Sequence, residues 1–256
     1  MALVLTDFSG NSNTLTNNNT ATEVTTSLPF ATKNVSAVQL ASASSQSLSA
    51  SDSTTLSITD TITIEFWYKP TSQPTTNTAH ILLSKYDYAS TPVKESYQIT
   101  YENNADVMSI RAYFSEDGTS PNSDRLSWNA TLNNGTWYHL ALTFNPANAT
   151  ATECELYSGV TSLGNGDVIQ DHNVTAIYNS DKNLYIGAIL NNGTPEQFAN
   201  GQFDEIRIWN TVRTSSQIIS NYAKRLNTIE TGLKAYWPLE SWEATPEGGA
   251  FFFNFI

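Results

Sequence analysis

Apolar and polar residues alternate with a period of two in several stretches of the chain, and this pattern predicts β-strands. The clearest stretch is TITIEFWYKP at residues 61–70. Its apolar side is formed by Ile62, Ile64, Phe66 and Tyr68. A second stretch, NGTWYHLALTFN at residues 134–145, begins with an Asn-Gly turn and then alternates in the same way. Shorter strands are predicted at residues 81–84, 96–101, 107–114, 125–128, 153–157 and 184–186. So many strands between polar turns predict an all-β sandwich.

The stretch GQFDEIRIWNTVRTSSQII at residues 201–219 predicts a long strand followed by a helix. Alternation places Phe203, Glu205, Arg207 and Trp209 on one side of the strand and Asp204, Ile206 and Ile208 on the other. Thr214 and Gln217 have the spacing of a capping box. One short helix is therefore expected within residues 214–226.

Composition narrows the functional classes. The 256 residues include 24 acidic and 12 basic ones, giving a net charge of −12, and the basic residues cluster only at Lys224-Arg225. This argues against nucleic-acid binding, which requires clustered Lys and Arg. Cys154 is the single cysteine, so no internal disulfide can form. No stretch approaches the 18 apolar residues of a membrane span, and the start MALVLTDFSG lacks the basic region of a signal peptide.

Four motifs resemble, in order, those of laminin-G-like jelly rolls of the concanavalin A-like superfamily. They are DFSGN at 7–11, TIEFWYKP at 63–70, GTWYHLALTF at 135–144 and FDEIRIWN at 203–210. The resemblance implies an all-β, two-sheet antiparallel jelly-roll sandwich over residues 1–240, with one short helix near the C-terminus. GLKAYWPLE at 232–240 resembles the strand with which family members usually begin. Because it comes last here, it either fills the slot of that first strand or is a linker.

The superfamily includes glycoside hydrolases that carry two or three carboxylates on one strand, and no such triplet occurs in this chain. Asp204 and Glu205 are adjacent, so alternation places them on opposite faces. The three histidines, at 80, 139 and 172, are scattered. We therefore expect a non-catalytic binding or structural module. The alternative is a carbohydrate-active enzyme, a glycoside hydrolase or lyase, that uses residues from separate strands.

Calcium is the expected cofactor. Asp7 and Asn11 lie in an oxygen-rich turn, and Ca²⁺ prefers carboxylate, amide and carbonyl oxygens. The resemblance implies a structural Ca²⁺ between this turn and the acid of the D-E strand, which here is Asp204. The alternative is that Asp7 and Asn11 form only an Asx-type turn and that Asp204 caps a loop.

Sugar binding requires exposed aromatic faces together with polar groups on loops. Tyr86 and Tyr88, with Asp87 between them, form one candidate platform for a glycan or cell-surface ligand. Trp128 with Asn129 forms another.

The segment 241–256 ends in FFFNFI. Its large apolar residues are Phe251, Phe252, Phe253, Phe255 and Ile256. Such a segment is an aggregation hazard when exposed. We expect it to dock on a neighbouring copy or on a carrier protein, with folding back onto its own sheet as the alternative. The Thr- and Asn-rich composition favours an extracellular or virion-surface setting, such as a phage capsid decoration or tail protein.

Overall fold

A computed structural model describes residues 5–30, 34–119, 123–226 and 229–240. Two antiparallel β-sheets pack face to face as a jelly-roll sandwich, which confirms the predicted fold class. The first sheet, sheet A, contains β1 (Leu15–Asn18), β4 (Ser47–Ala50), β6 (Thr78–Asp87), β7 (Lys94–Asn104), β8 (Val107–Ser115), β9 (Ser123–Asn129), β13 (Asp167–Gln170), β14 (Leu184–Ile186), β15 (Ile189–Asn191) and β16 (Thr194–Glu196). The second, sheet B, contains β2 (Thr22–Val24), β3 (Ala37–Leu40), β5 (Ile62–Pro70), β10 (Tyr138–Phe144), β11 (Cys154–Ser158), β12 (Thr161–Asn165), β17 (Gly201–Trp209) and β18 (Leu233–Trp237).

Sheet A runs in the order β1-β4-β14-β6-β7-β8-β9-β13, and sheet B in the order β12-β11-β10-β5-β17-β3-β2, with β18 also paired to β17. Their inner faces share one hydrophobic core. Phe114 of sheet A stacks on Phe144 of sheet B with ring centroids 3.7 Å apart. Within the described ranges, no helix is long and apolar enough to cross a membrane.

The alternation predicted for β5 is confirmed. Its four apolar side chains, Ile62, Ile64, Phe66 and Tyr68, all lie in the core. Trp67 faces the other way, and its indole nitrogen donates a 2.8 Å hydrogen bond to the carbonyl of Tyr222. The predicted strand is therefore central in sheet B, with one face in the core.

The alternation predicted for β17 is wrong at one point. Phe203, Ile206 and Ile208 all lie in the core, although the sequence pattern placed Phe203 opposite the two isoleucines. The cause is a β-bulge between Asp204 and Arg207, where Glu205 has a φ of 50°. Two residues of β17 there oppose one residue of β5, so the alternation changes phase.

Thr214 and Gln217 form the predicted capping box with both reciprocal hydrogen bonds. The helix α2 spans Ser215–Asn221, shorter than the predicted range. A one-turn helix, α1, at Thr150–Glu153 was not predicted.

The C-terminal strand β18 belongs to the sandwich, so the linker alternative is wrong for these residues. It pairs with β17, and the amide of Phe8 donates to the carbonyl of Tyr236 at 2.8 Å. The first and last described segments therefore meet on sheet B. The segment 241–256, with Phe251, Phe252, Phe253, Phe255 and Ile256, lies outside the described residues, and its docking stays a prediction.

Candidate functional site

A groove crosses the outer face of sheet A, on the side away from the core. Strand alternation creates it: Tyr97, Ile99 and Tyr101 of β7 point into the core, so Gln98 and Thr100 point outward. One depression of about 280 Å³ forms the centre of the groove. Its lining residues are Ala79, Ile81, Tyr86, Tyr88, Glu95, Gln98, Thr100, Glu102, Tyr113, Arg125, Ile189 and Gln197.

A second depression of about 620 Å³ continues the groove. It shares Ala79, Glu102 and Gln197 with the first, and Asn77, Asn103 and Asn104 add amide groups. The two together form an elongated, open groove.

An apolar cluster separate from the main core forms the floor of the groove. Ile81, Tyr86 and Ile189 are its buried members, and the half-buried rings of Tyr88 and Tyr113 pack against them. Aromatic rings presented on a sheet surface provide flat apolar faces, against which sugar rings can pack.

The polar groups of the groove are held in fixed positions. Glu102 accepts hydrogen bonds from Thr100 Oγ1 and Tyr113 Oη, each at 2.6 Å, and it forms a 2.8 Å ion pair with Arg111. The Arg125 guanidinium lies 5.5 Å from the centre of the Tyr113 ring. Because these side chains are already ordered, little conformational entropy is lost when a ligand binds.

Glu95 is the one strongly perturbed carboxyl of this groove. Glu95 Oε2 accepts a 2.6 Å hydrogen bond from Tyr86 Oη, whereas Oε1 is buried and has no hydrogen-bond partner in the described part of the chain. Burial raises the pKa of Glu95 to about 7, although the hydrogen bond from Tyr86 and the positive charge of Arg125 act in the opposite direction.

This pKa predicts a pH-dependent stability difference between the wild type and Glu95→Gln. A raised pKa in the folded state means that the contribution of Glu95 to stability is fully present below pH 4.5 and is lost as the pH rises through about 7. Glutamine cannot ionise, so Glu95→Gln should melt above the wild type at pH 8 and close to it at pH 4.5. Thermal melts across this range check the prediction, and a difference independent of pH would contradict it.

Two of the three residues of the first predicted platform, Tyr86 and Tyr88, belong to this site. Tyr86 and Tyr88 line the groove, and the Tyr88 hydroxyl donates to Glu196. Asp87 does not line it: its side chain is fully buried, accepts a 3.0 Å hydrogen bond from the Gly193 amide and lies 3.2 Å from Lys182. The expectation that Asp87 faces a ligand is therefore wrong.

The second predicted platform, Trp128 with Asn129, is also wrong. Trp128 is only 4% exposed, packs in the core and donates a 2.9 Å hydrogen bond to the Gly164 carbonyl. Its ring is thus on the inner face of sheet A. Asn129 is exposed at the end of β9 but is not a lining residue of the groove.

The carboxylates of the groove do not have the spacing of a glycosidase pair. Glu95 and Glu102 are the acidic lining residues, and both lie on β7, seven positions apart. Seven positions on a strand correspond to roughly 20 Å, whereas glycoside hydrolysis uses carboxyl groups about 5 to 9.5 Å apart. These two carboxylates are therefore too far apart to act as such a pair.

The turn around Asp7 already uses its oxygens within the protein. The Asp7 carboxylate accepts hydrogen bonds from the amides of Ser9, Asn13 and Tyr236 and from the Ser9 hydroxyl, at 2.8 to 3.0 Å. The amide nitrogen of Asn11 donates to the carbonyls of Leu233 and Lys234. This arrangement matches the Asx-turn alternative, and a calcium-ligand role for Asp7 and Asn11 stays a prediction.

Asp204 lies in a different cluster, at the gap where β17 changes its partner from β3 to β18. Asp204 is fully buried, and its Oδ2 accepts a 2.6 Å hydrogen bond from Asn34. Glu240 Oε2 accepts hydrogen bonds from the backbone amides of Val35 and Ser36, at 2.8 and 3.1 Å. Burial, the neighbouring Glu205 and then Glu240 raise the pKa of Asp204 well above its usual range.

This second cluster fits a calcium ion on chemical grounds. Asn34 Oδ1 and Glu240 Oε1 are both buried, and neither has a hydrogen-bond partner among the described residues. Together with Asp204 they offer amide and carboxylate oxygens, the ligands Ca²⁺ prefers. A bound Ca²⁺ would neutralise the buried carboxylates, so Asn34, Asp204 and Glu240 are the residues that would hold it.

Comparison with known proteins assigns the family. The model of the laminin-G-like family of the concanavalin A-like lectin/glucanases superfamily matches residues 42–219. The chain belongs to this family, as the sequence motifs predicted. The comparison with curated proteins finds no match.

Solved structures of carbohydrate-binding domains and of the binding domain of a toxin have a similar fold. Domain 4 of AbnA, an extracellular arabinanase from Geobacillus stearothermophilus solved with arabinotriose, shares 18% identity at a TM-score of 0.53, over 86% of this chain and 93% of that one. The CBM40 domain of a Ruminococcus gnavus sialidase, bound to α2,3-sialyllactose, shares 15% sequence identity at a TM-score of 0.51. The match covers 70% of this chain and 96% of that one. The binding domain of Paraclostridial Mosquitocidal Protein 1 shares 13% sequence identity at a TM-score of 0.60. The match covers 86% of this chain and 51% of that one.

Proposed function

We propose that this protein is a non-catalytic glycan-binding module and that its ligand lies in the groove on the outer face of sheet A. The observation that carries the proposal is the combination of the half-buried rings of Tyr88 and Tyr113 with the prepositioned Glu102 and Arg125. Family membership and the glycan complexes of the AbnA and CBM40 domains support it.

The groove favours neutral oligosaccharides. Glu102 is paired with Arg111, and the chain carries a net charge of −12, which repels polyanions at a distance. The elongated shape, with amide groups at one end, suits a chain of several sugar units rather than a single one.

A glycan array, with arabinotriose and α2,3-sialyllactose included, identifies the ligand, and isothermal titration calorimetry then compares variants. Tyr113→Ala removes an aromatic face and a hydrogen bond to Glu102, so affinity should fall at least tenfold, which corresponds to about 1.4 kcal/mol. Tyr185→Ala is the matched control, because Tyr185 is also half-buried on the outer face of sheet A but lines neither depression. Equal affinity of the Tyr113 variant and the wild type would refute the site.

The setting we propose is the surface of a virion or of another extracellular particle. The Thr- and Asn-rich composition and the aromatic segment at 251–256 support this setting. A native source in which the protein never copurifies with particles would contradict it.

A further inference from the structure

A pair of buried carboxylates lies at one end of the sandwich, away from the groove and from Asp204. Glu153 ends α1, directly before β11, and is 3% exposed. Among the described residues no N–H or O–H group donates to either of its carboxylate oxygens, its side chain contacts the carboxyl group of Asp124, and it takes part in none of the salt bridges found in the described ranges. A carboxylate buried without a partner costs free energy unless something compensates for it.

Asp124 carries the carboxyl group that the Glu153 side chain contacts. It lies on the inner side of β9, two residues before Leu126 of the core, and is fully buried. Its two carboxylate oxygens accept hydrogen bonds from the backbone amides of His172 and Val174, at 2.6 and 2.8 Å. Burial, and then the charges of Asp124 and Asp171, raise the pKa of Glu153 to about 9. Two amides thus fix the Asp124 carboxylate, and no Lys, Arg or His in residues 5–30, 34–119, 123–226 and 229–240 forms an ion pair with Glu153.

We propose that Glu153 and Asp124 bind a Ca²⁺ ion between β9, α1 and the loop 171–174. Both residues offer oxygen, which is the ligand that this cation prefers. No group of three or more His, Cys, Asp or Glu suited to a metal occurs in the part of the chain that the structure describes, so the proposal requires backbone carbonyls or water as the remaining ligands. Such a shell suits Ca²⁺, which tolerates flexible geometry, better than Zn²⁺.

This site is separate from the one at Asp204. Across sheet B, β11 is three strands away from β17, with β10 and β5 between them. Along the strand direction, the register places Glu153 beside the Trp209 end of β17, several residues from Asp204. Strand spacing and rise then place the two sites roughly 20 Å apart. The two can therefore be removed one at a time.

Calcium titration of the full chain by calorimetry tests the proposal. The Glu240→Gln chain, in which the Asp204 site is disabled, should still bind one Ca²⁺, and adding Glu153→Gln should lower that affinity at least tenfold. Glu155→Gln is the matched control, two residues further along the chain on β11: Glu155 already accepts a 2.7 Å hydrogen bond from Tyr157 and another from Ser162, and its substitution should leave binding unchanged. An unchanged affinity in the Glu153 variant overturns the proposal.

The competing explanation is that the two carboxyls share a proton. In that case Glu153→Gln raises the melting temperature at pH 7 equally with and without Ca²⁺, and this result overturns the cation site. A crystal structure of the wild type grown with CaCl₂ gives a readout independent of any variant. Density within about 2.3 to 2.6 Å of the Glu153 carboxylate is the expected result, and its absence overturns the proposal.

Discussion

Arg207→Met should lower the free energy of unfolding by about 3 to 5 kcal/mol, the usual cost of removing one partner from a buried ion pair. Arg207 is 1% exposed and lies 2.6 Å from Glu205 and 3.8 Å from Glu65. It also donates to the carbonyls of Asn221 and Lys224, at 3.0 and 2.6 Å. Methionine fills much of the same volume but leaves the two carboxylates without this positive charge.

Denaturant unfolding measures this loss, and Lys94→Met is the control. Lys94 forms a 3.6 Å pair with Asp181, whose side chain is 66% exposed, and such surface pairs contribute little to stability. Because Arg207 also holds the carbonyls at the end of α2, amide exchange in residues 215–226 should become faster in the variant. A change below about 1 kcal/mol in Arg207→Met would show that the network contributes little.

Removing calcium should lower the melting temperature through the Asn34, Asp204 and Glu240 cluster. An ion bound only by the folded state at one hundred times its Kd stabilises by about 2.7 kcal/mol, or roughly 5 to 10 °C for a chain of this size. The measurement is made in the Glu153→Gln background, so that one site is tested alone. There, a chelator should lower the melting temperature.

Glu240→Gln in the same background should abolish that response, because the side chain then lacks the charge while it can still accept the amides of Val35 and Ser36. Asp181→Asn is the control, since Asp181 is largely exposed and pairs with Lys94, which is not a member of the cluster. A chelator response that survives Glu240→Gln would place the ion elsewhere. If the chelator has no effect on the melting temperature even when Glu240 is intact, calcium is not bound at this cluster.

Sequence periodicity predicted the sandwich because most strands have one face in the core. The alternation of β5 and the capping box of α2 are local patterns, and both are confirmed. The bulge at Asp204 was missed, since nothing in the residue pattern marks where two residues oppose one. Trp128 was misplaced because a tryptophan at a strand position looks the same in sequence whether it faces the core or the solvent.

The groove could be predicted only in part. Tyr86 and Tyr88 are close in sequence and were found from their local pattern, but Tyr113, Glu102 and Arg125 come from neighbouring strands. Their proximity depends on strand order and register, and a single sequence gives neither. The same holds for Asn34 and Glu240, which are more than 200 positions apart in the chain.

The groove has a further consequence for evolution and engineering. Its outward positions alternate with core positions along the same strands, as Tyr113 does with Ala112 and Phe114. A substitution at an outward position therefore changes the surface offered to a ligand without altering core packing. A combinatorial library at these positions should yield folded variants in high proportion. New sugar specificities could then be selected on a constant scaffold, one side chain at a time.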